Sequence, residues 1–291
     1  MIPYEKLVGH LVETLRLAAT SLPKDVESSL ENAMRKERNP LAKEMLKSIL
    51  ENVKVAREEN IPLCQDTGII SFNIRVGKDN PIPLTLISKA IKEAVVKATK
   101  EVPLRPNAVN PLTGENSGDN TGDFIPWIEW ETTHNEKGLE ITIFLKGGGS
   151  EAPCRALVLT PAEGLRRAIE YVIETIAKYG PNPCPPIVLG LGIGGTFDIA
   201  SALAKKALLR SLNRRNPIPK IAELEKTILN LINELKIGPY GMGGDTTALA
   251  VNIEMAHRHP ATYPLAICTN CWALRRATLS IKSNGECEIL Q

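Results

Sequence analysis

The stretch "PPIVLGLGIGGTFDIASALAKKALLRSLNRRNP", Pro185 to Pro217, decides between two fold classes. Its opening β-branched run ends in glycine and reads as a short buried strand, and "TFDIASALAKKALLRSL" reads as a helix. Between them "GLGIGG", Gly190 to Gly195, fits the G-x-G-x-x-G pattern of a dinucleotide-binding α/β fold. That mechanism requires a second strand ending in Asp or Glu about 20 residues on, to hold a ribose hydroxyl. Here the chain continues through "AKKALLRSLNRRNP" into another helix, "IAELEKTILNLINELK", with no strand to carry the carboxylate. Dinucleotide binding is therefore not expected. Glycine amides at a helix N-terminus could still face a small carboxylate, or the glycines could only let a helix pack close to a sheet. Both readings stay open for "GIGG", and for the similar "KGGGSE" (146–151) and "GPYGMGGDTT" (238–247).

Outward from this stretch the chain is helical first and strand-rich last. Three amphipathic helices are predicted from Tyr4 to about Glu59, broken near Ser21 to Lys24 and at Asn39-Pro40. "IISFNIRV" reads as a strand and "LTLISKAIKEAVVKATKEV" as a helix. "FIPWIEWE" and "GLEITIFL" look like paired strands, and Pro161 to Lys178 returns to helical spacing. The segments "TTALAVNIEMA", "YPLAICTN", "ALRRATLSIK" and "ECEIL" read as strands, with Ser283-Asn284-Gly285 as a hairpin turn. The expected class is α+β rather than strict βαβ alternation, with mixed or antiparallel strands towards the C-terminus. One domain over residues 1–291 is expected, with a helical subregion at 1–59. The polar segment "LRPNAVNPLTGENSGDNTGD" is too long for a simple connector, and such loops are usually functional or disordered.

With 291 residues, 43% of them hydrophobic, the chain can bury a large core, and a net charge of +2 offers no basic field for nucleic acid. The N-terminal residues form no signal peptide and no apolar run reaches membrane-spanning length, so a cytoplasmic setting and no membrane association are expected. Six scattered cysteines do not make a disulfide scaffold at this length. Cys268 and Cys271 form a CxxC, but no second close Cys or His pair completes a zinc site, and the strand-like flanks do not suit a thioredoxin-type motif. Cys64, Cys184 and Cys271 share another context: each lies at a junction of elements, in "LCQDTG", "NPCPPI" and "TNCWALRR". Three dispersed thiolates could hold three corners of a 4Fe–4S cluster, although dispersed cysteines are most often buried apolar filler. Cys154 and Cys287 keep the filler reading.

"CQDTG", "NPCPPIVLGLGIGGTFDIASALAKKALLR", "GPYGMGGDTTALAVNIE" and "RHPATYPLAICTNCWALRRATL" resemble the α-subunit of the class I iron–sulfur hydro-lyases, the two-subunit fumarate hydratases and L(+)-tartrate dehydratases. The similarity runs over nearly the whole chain, in the family's order. It implies a 4Fe–4S cluster on Cys64, Cys184 and Cys271, with Cys268 not a ligand, and an open iron that takes the hydroxyl and one carboxylate of a four-carbon dicarboxylate. It further implies that Gln65 and Asp66 hydrogen-bond the substrate, that Arg105 binds a substrate carboxylate, and that a backbone amide at Gly148 serves the same molecule. Asp66 and His259 are the catalytic candidates by resemblance, His259 assisting the iron-bound hydroxyl; His257 is given a surface or packing role.

The family also implies a β-subunit that supplies the base, absent from these 291 residues; a homodimer of α-subunits is the expected core of the assembly by the general preference for two-fold symmetry. "GIGGTFD" and "GGDTTALAVNIE" look fumarase-like, so reversible hydration of fumarate to L-malate, a tricarboxylic acid cycle step, is the expected reaction. "PLRPNAV", "IPWIEW" and "NCWALRRATL" look closer to tartrate dehydratases, which makes tartrate to oxaloacetate the alternative. "GGGSEAPC" also departs from the GGGSEN of many fumarases, since Ala152 and Pro153 remove an amide side chain and stiffen the loop. From another class, a non-catalytic iron–sulfur scaffold or sensor and a cluster-free metal-binding module are the rivals.

Overall fold

A computed structural model describes residues 2–134 and 137–291. Helices α1 (Tyr4–Thr20), α2 (Lys24–Lys36) and α3 (Pro40–Glu58) fall where the apolar spacing and its two breaks place them. The second break is capped chemically: Asn39 Oδ1 accepts from Leu41 N at 3.0 Å, and Pro40 opens α3. Then follow β1 (Ile69–Gly77), α4 (Leu84–Glu101), β2 (Trp127–Thr133), β3 (Leu139–Lys146), the short α5 (Gly148–Glu151), β4 (Arg155–Leu159) and α6 (Gly164–Tyr179). The remainder is β5 (Ile187–Ile193), α7 (Phe197–Ala207), α8 (Pro219–Glu234), β6 (Ala248–Met255), β7 (Tyr263–Asn270), β8 (Arg275–Ile281) and β9 (Cys287–Leu290). Helices together with sheets of mixed parallel and antiparallel pairing make the class α+β. Among the described residues no helix is long and apolar enough to cross a membrane.

The chain forms two compact units: Met1–Pro23, Asn52–Gly147 and Arg275–Gln291 make the first, Lys24–Glu51 and Gly148–Leu274 the second. The helical subregion is thus divided, α1 belonging to the first unit and α2 to the second.

In the first unit a five-stranded sheet runs β2-β1-β3-β8-β9. Alternate residues of β1 (Ile70, Phe72, Ile74) and β3 (Ile141, Ile143, Leu145) point into a core closed by Leu7, Leu11 and Leu15 of α1 and Ile87, Ile91 and Val95 of α4. The expected pairing of "FIPWIEWE" with "GLEITIFL" is corrected. β1 lies between them, Phe72 standing opposite Ile128 of β2 on one side and Ile143 of β3 on the other. The β1–β2 pair is parallel, so the chain must cross over the sheet between them, which α4 and the long polar segment accomplish. That segment is ordered by its own side chains: Asn110 Oδ1 accepts from Leu112 N and Thr113 N, Asn116 Oδ1 from Gly118 N, and Asp119 Oδ1 from Thr121 N.

In the second unit the four-stranded sheet runs β4-β7-β5-β6, with β5 and β6 parallel. Ile187, Leu189 and Leu191 of β5 pack towards α6 and α8. Its intervening glycines face α7, where a Cβ on Gly190 would come within 2.0 Å of Ala204 O and one on Gly192 within 1.9 Å of Ala200 O. Close helix-to-sheet packing accounts for both. At the start of α7 the Asp198 carboxylate, hydrogen-bonded by the Thr196 hydroxyl and first-turn amides, is held below the usual range. This helix end thus carries its own anion.

Two polar clamps complete this unit. Glu225, fully buried, takes Arg210 Nη2, Ile253 N (2.9 Å) and Asn216 N (3.1 Å), and so ties α8 to β6. Asp245 takes Arg38 at 2.7 and 2.9 Å and Lys236 at 2.7 Å, which holds its carboxyl far below the usual range. A carboxyl depressed in the folded state stabilises above its unfolded pKa of about 4 and loses that contribution as pH falls through the folded value. Acid titration of unfolding is expected to show a shallower loss below about pH 4 for Asp245→Asn than for the unsubstituted chain, the difference shrinking in high salt.

Candidate functional site

The candidate residues are distributed over both units. In the first, Leu63 is buried and fixed at both backbone groups, its N–H donating to Ala19 O at 2.9 Å and its carbonyl accepting from Asn52 Nδ2 at 3.0 Å. The next two residues, Cys64 and Gln65, are exposed. Asp66 is then gripped from several sides. Its Oδ1 accepts from Gly68 N at 2.9 Å and from Asn107 Nδ2 at 3.4 Å, and its carbonyl accepts from Arg275 Nη1 at 2.7 Å.

Arg275 is 1% exposed, and its Nε has no hydrogen-bond partner among the described residues. Gly147 completes the enclosure, because a Cβ there would lie 2.9 Å from Asp66 Oδ2 and 3.5 Å from Arg275 Nη2. Any side chain at this position would have to push the Asp66 carboxylate aside.

Arg105 is brought to the same place by its backbone. Thr67 Oγ1 accepts from Arg105 N at 3.0 Å, and Arg105 O accepts from Thr67 Oγ1 at 3.3 Å and Asn120 Nδ2 at 3.2 Å. Asn120 in turn accepts from Asn107 N at 2.7 Å. Its side chain reaches back to Thr99 Oγ1 at 3.0 Å. The Arg105 side chain is left exposed. An exposed guanidinium on a clamped backbone can take a carboxylate ligand bidentately.

In the second unit Cys184 is exposed and sits at φ 53°, left-handed backbone that L side chains rarely adopt. Three neighbours hold its loop. Tyr240 N donates to Pro185 O at 2.8 Å, Trp272 N approaches Cys184 O at 3.5 Å, and a Cβ on Gly149 would lie 3.6 Å from Asn182 O. Cys271, immediately past β7, is partly exposed, and its carbonyl accepts from the buried Asn270 Nδ2 at 3.0 Å. Cys184 and Cys271 therefore share one end of the sheet. Gly148 is exposed at the start of α5, next to Gly149, and two of the three glycine-rich loops thus border the Cys184 loop.

His259 lies elsewhere. It is exposed in the β6–β7 connection, its Nδ1 accepting from Ala261 N at 3.1 Å. Ile193 pairs with Met255 and Leu265 at that end of the sheet, whereas Val188 pairs with Asn270 at the cysteine end. With about 3.3 Å per residue, the eight residues of β7 put roughly 25 Å between His259 and Cys271. His257 is close to His259, its carbonyl accepting from Gly195 N at 3.2 Å.

Cys287 packs on the core of the first unit, and burial pushes its thiol pKa up. Within neither unit do three His, Cys, Asp or Glu side chains converge at metal-ion spacing among the described residues. Sequence reasoning missed Thr67, Asn107, Asn120, Gly147 and Arg275. The available signal for Arg275 was a charged pair, Arg275-Arg276, at the start of a strand with no other charged residue.

Comparison with known proteins now gives this arrangement a context. The chain is 48% identical over 283 residues, 97% of its length and 99% of the relative's, to a Methanocaldococcus jannaschii protein provisionally named L(+)-tartrate dehydratase subunit alpha. It is 37% identical over 279 residues, 96% of its length and 92% of the relative's, to L(+)-tartrate dehydratase subunit alpha of Escherichia coli K12. The same figures hold for the protein of that name from Shigella boydii serotype 4. These relatives are named as one subunit of a larger enzyme. The family description for fumarate hydratase (Fumerase) matches residues 9–280, and the chain belongs to this family of hydro-lyases.

Proposed function

We propose that this chain is the α-subunit of a two-subunit iron–sulfur hydro-lyase that converts L(+)-tartrate to oxaloacetate and water. The substrate expected from sequence was fumarate; the names of the relatives shift the weight to the alternative, tartrate. The observation that carries the proposal is the coupling of the Cys64-Gln65-Asp66 run, exposed at Cys64 and Gln65 and half-buried at Asp66, to Arg105 through Thr67, which sets a thiol, two hydrogen-bonding side chains and an arginine on one rigid support.

The donor set fits a 4Fe–4S cluster. Cys64, Cys184 and Cys271 are soft thiol ligands on exposed or partly exposed loops, and Cys184 is held at positive φ outside any regular element. When bound, such a cluster would supply a Lewis-acidic iron for the hydroxyl that leaves. The chain's own residues would then bind and orient. Arg105 takes a carboxylate, Gln65 and Asp66 hydrogen-bond the carbons' oxygens, and the Gly148 amide donates to the second carboxylate. The β-subunit supplies the base that removes the carbon-bound proton. His259 is not assigned to this step, since its place in the fold is remote from Cys184 and Cys271.

The family's description favours a second reading, interconversion of fumarate and L-malate. Anaerobic reconstitution of the α-subunit together with its β-subunit, followed by turnover of L(+)-tartrate, L-malate and fumarate, tests both. The highest kcat/KM is expected with tartrate. A preference for malate would select the second reading, and no turnover of any of the three would overturn both.

In the same assay Gly147→Ala is expected to lower kcat about tenfold or more with iron content unchanged. The new methyl must displace the Asp66 carboxylate, and a misplacement on the order of 1 Å can cost about a hundredfold.

A further inference from the structure

Two cysteines with no place in the proposed cluster lie against each other in the second unit. Cys154 Sγ is 3.9 Å from Cys268 Sγ, and both side chains are partly exposed. The β4–β7 ladder pairs Arg155 with Ile267, so one step further Cys154 stands opposite Cys268 across antiparallel strands. Opposed residues in such a pair have Cα atoms about 4.5 to 5.5 Å apart, inside the range of about 4.4 to 6.8 Å that a disulfide spans. Closing the bond requires the sulfurs to reach about 2.0 Å, a side-chain rotation and not a backbone rearrangement.

We propose that Cys154 and Cys268 form a reversible disulfide, making this pair a redox modification site. The oxidant is a low-molecular-weight disulfide of the glutathione type. The thiolate of one cysteine attacks a sulfur of the oxidant, forming a mixed disulfide and releasing one thiolate. The second cysteine, deprotonated, attacks the protein sulfur and expels the other. Two protein thiols are oxidised, one disulfide is reduced to two thiols, and the protons balance.

The bond lies directly beneath α5. Cys154 Sγ is 3.5 Å from Ser150 O, which also accepts from Thr269 Oγ1 at 2.7 Å, and Thr269 N lies 3.4 Å from Cys154 Sγ. Oxidation removes the thiol proton facing Ser150 and draws Cys154 towards β7. The turn that carries Gly148 then loses one of its supports. The CxxC thus gains a different meaning: Cys268 pairs across strands with Cys154, not along the chain with Cys271.

The test is anaerobic incubation of the full chain with oxidised glutathione, alkylation of remaining thiols, and peptide mapping with and without dithiothreitol. Most chains are expected to yield a cross-linked peptide joining Cys154 to Cys268, lighter by the two thiol hydrogens and released by dithiothreitol. Alkylation of both cysteines, glutathione on either without a cross-link, or a Cys268 to Cys271 link would each overturn the proposal. The readout is covalent, so it stands or falls separately from the tartrate reading.

Discussion

Cys184→Gly is expected to lose most of its iron after anaerobic reconstitution, and turnover with the β-subunit is expected to fall more than about a hundredfold, while the fold becomes no less stable. The two halves of this result come from different physics. Removing the thiol removes one of three proposed corner ligands. Removing the Cβ relieves a residue held at φ 53°, where a non-glycine residue costs about 1 kcal/mol. Urea unfolding should therefore show the variant equal to or more stable than the original chain in the absence of iron. Cys268→Ala should keep its iron, because that residue lies within β7 beside Cys154 and not on the exposed Cys184 side. Equal iron in Cys184→Gly and the unsubstituted chain would end the ligand assignment. Equal loss in Cys268→Ala would point instead to a site built on the CxxC.

The largest stability effect is expected from Glu225→Ala, on the order of 3 to 5 kcal/mol. Glu225 is 0% exposed and answers three donors at once: the Arg210 guanidinium, the Ile253 amide and the Asn216 amide. Truncation strands a guanidinium whose side chain is only 15% exposed, with Glu254 at 3.1 Å as its other acid among the described residues. It also leaves two amides without their acceptor. Urea unfolding measures the loss, and Glu225→Gln separates its parts, since the amide can still accept from the backbone but carries no charge. A loss below about 1 kcal/mol for Glu225→Ala would show that water or a neighbour replaces the carboxylate.

Much of this fold was legible because its elements follow local rules. Helical spacing and breaks marked α1 to α4, and short runs rich in β-branched and other apolar residues marked β1, β3, β5 and β7. What escaped depends on contacts distant in sequence. β4 is short, its residues Arg155 to Leu157 are only partly buried and Val158 is exposed, so no strong alternation advertises it. The β2–β3 neighbourhood was misjudged because proximity in the chain suggested a hairpin, whereas β1, some 60 residues earlier by about that count, takes the place between them.

The site divides similarly. Gln65, Asp66 and Arg105 could be named from resemblance, and hydrogen bonds through Thr67 bring Asp66 and Arg105 into one rigid neighbourhood. The groups that make it rigid, Asn107, Asn120, Gly147 and Arg275, could not be named. Their role depends on distances that no local pattern encodes. For His259 the motif match carried no information about which end of the second unit's sheet the residue occupies.

The composition of the first unit from three separated stretches has a consequence for synthesis. A chain emerging from its N-terminus produces β1 and β3 long before β8, yet β8 lies inside the sheet, between β3 and β9. The second unit has all its residues once Leu274 is made. The first must wait, its apolar sheet edge open, for the next residue onward. That next residue is Arg275, whose guanidinium holds the Asp66 carbonyl. Closure of the sheet and completion of the Asp66 loop are therefore one late event, and a nascent chain stalled before it would expose the β3 edge to any other strand that can pair with it.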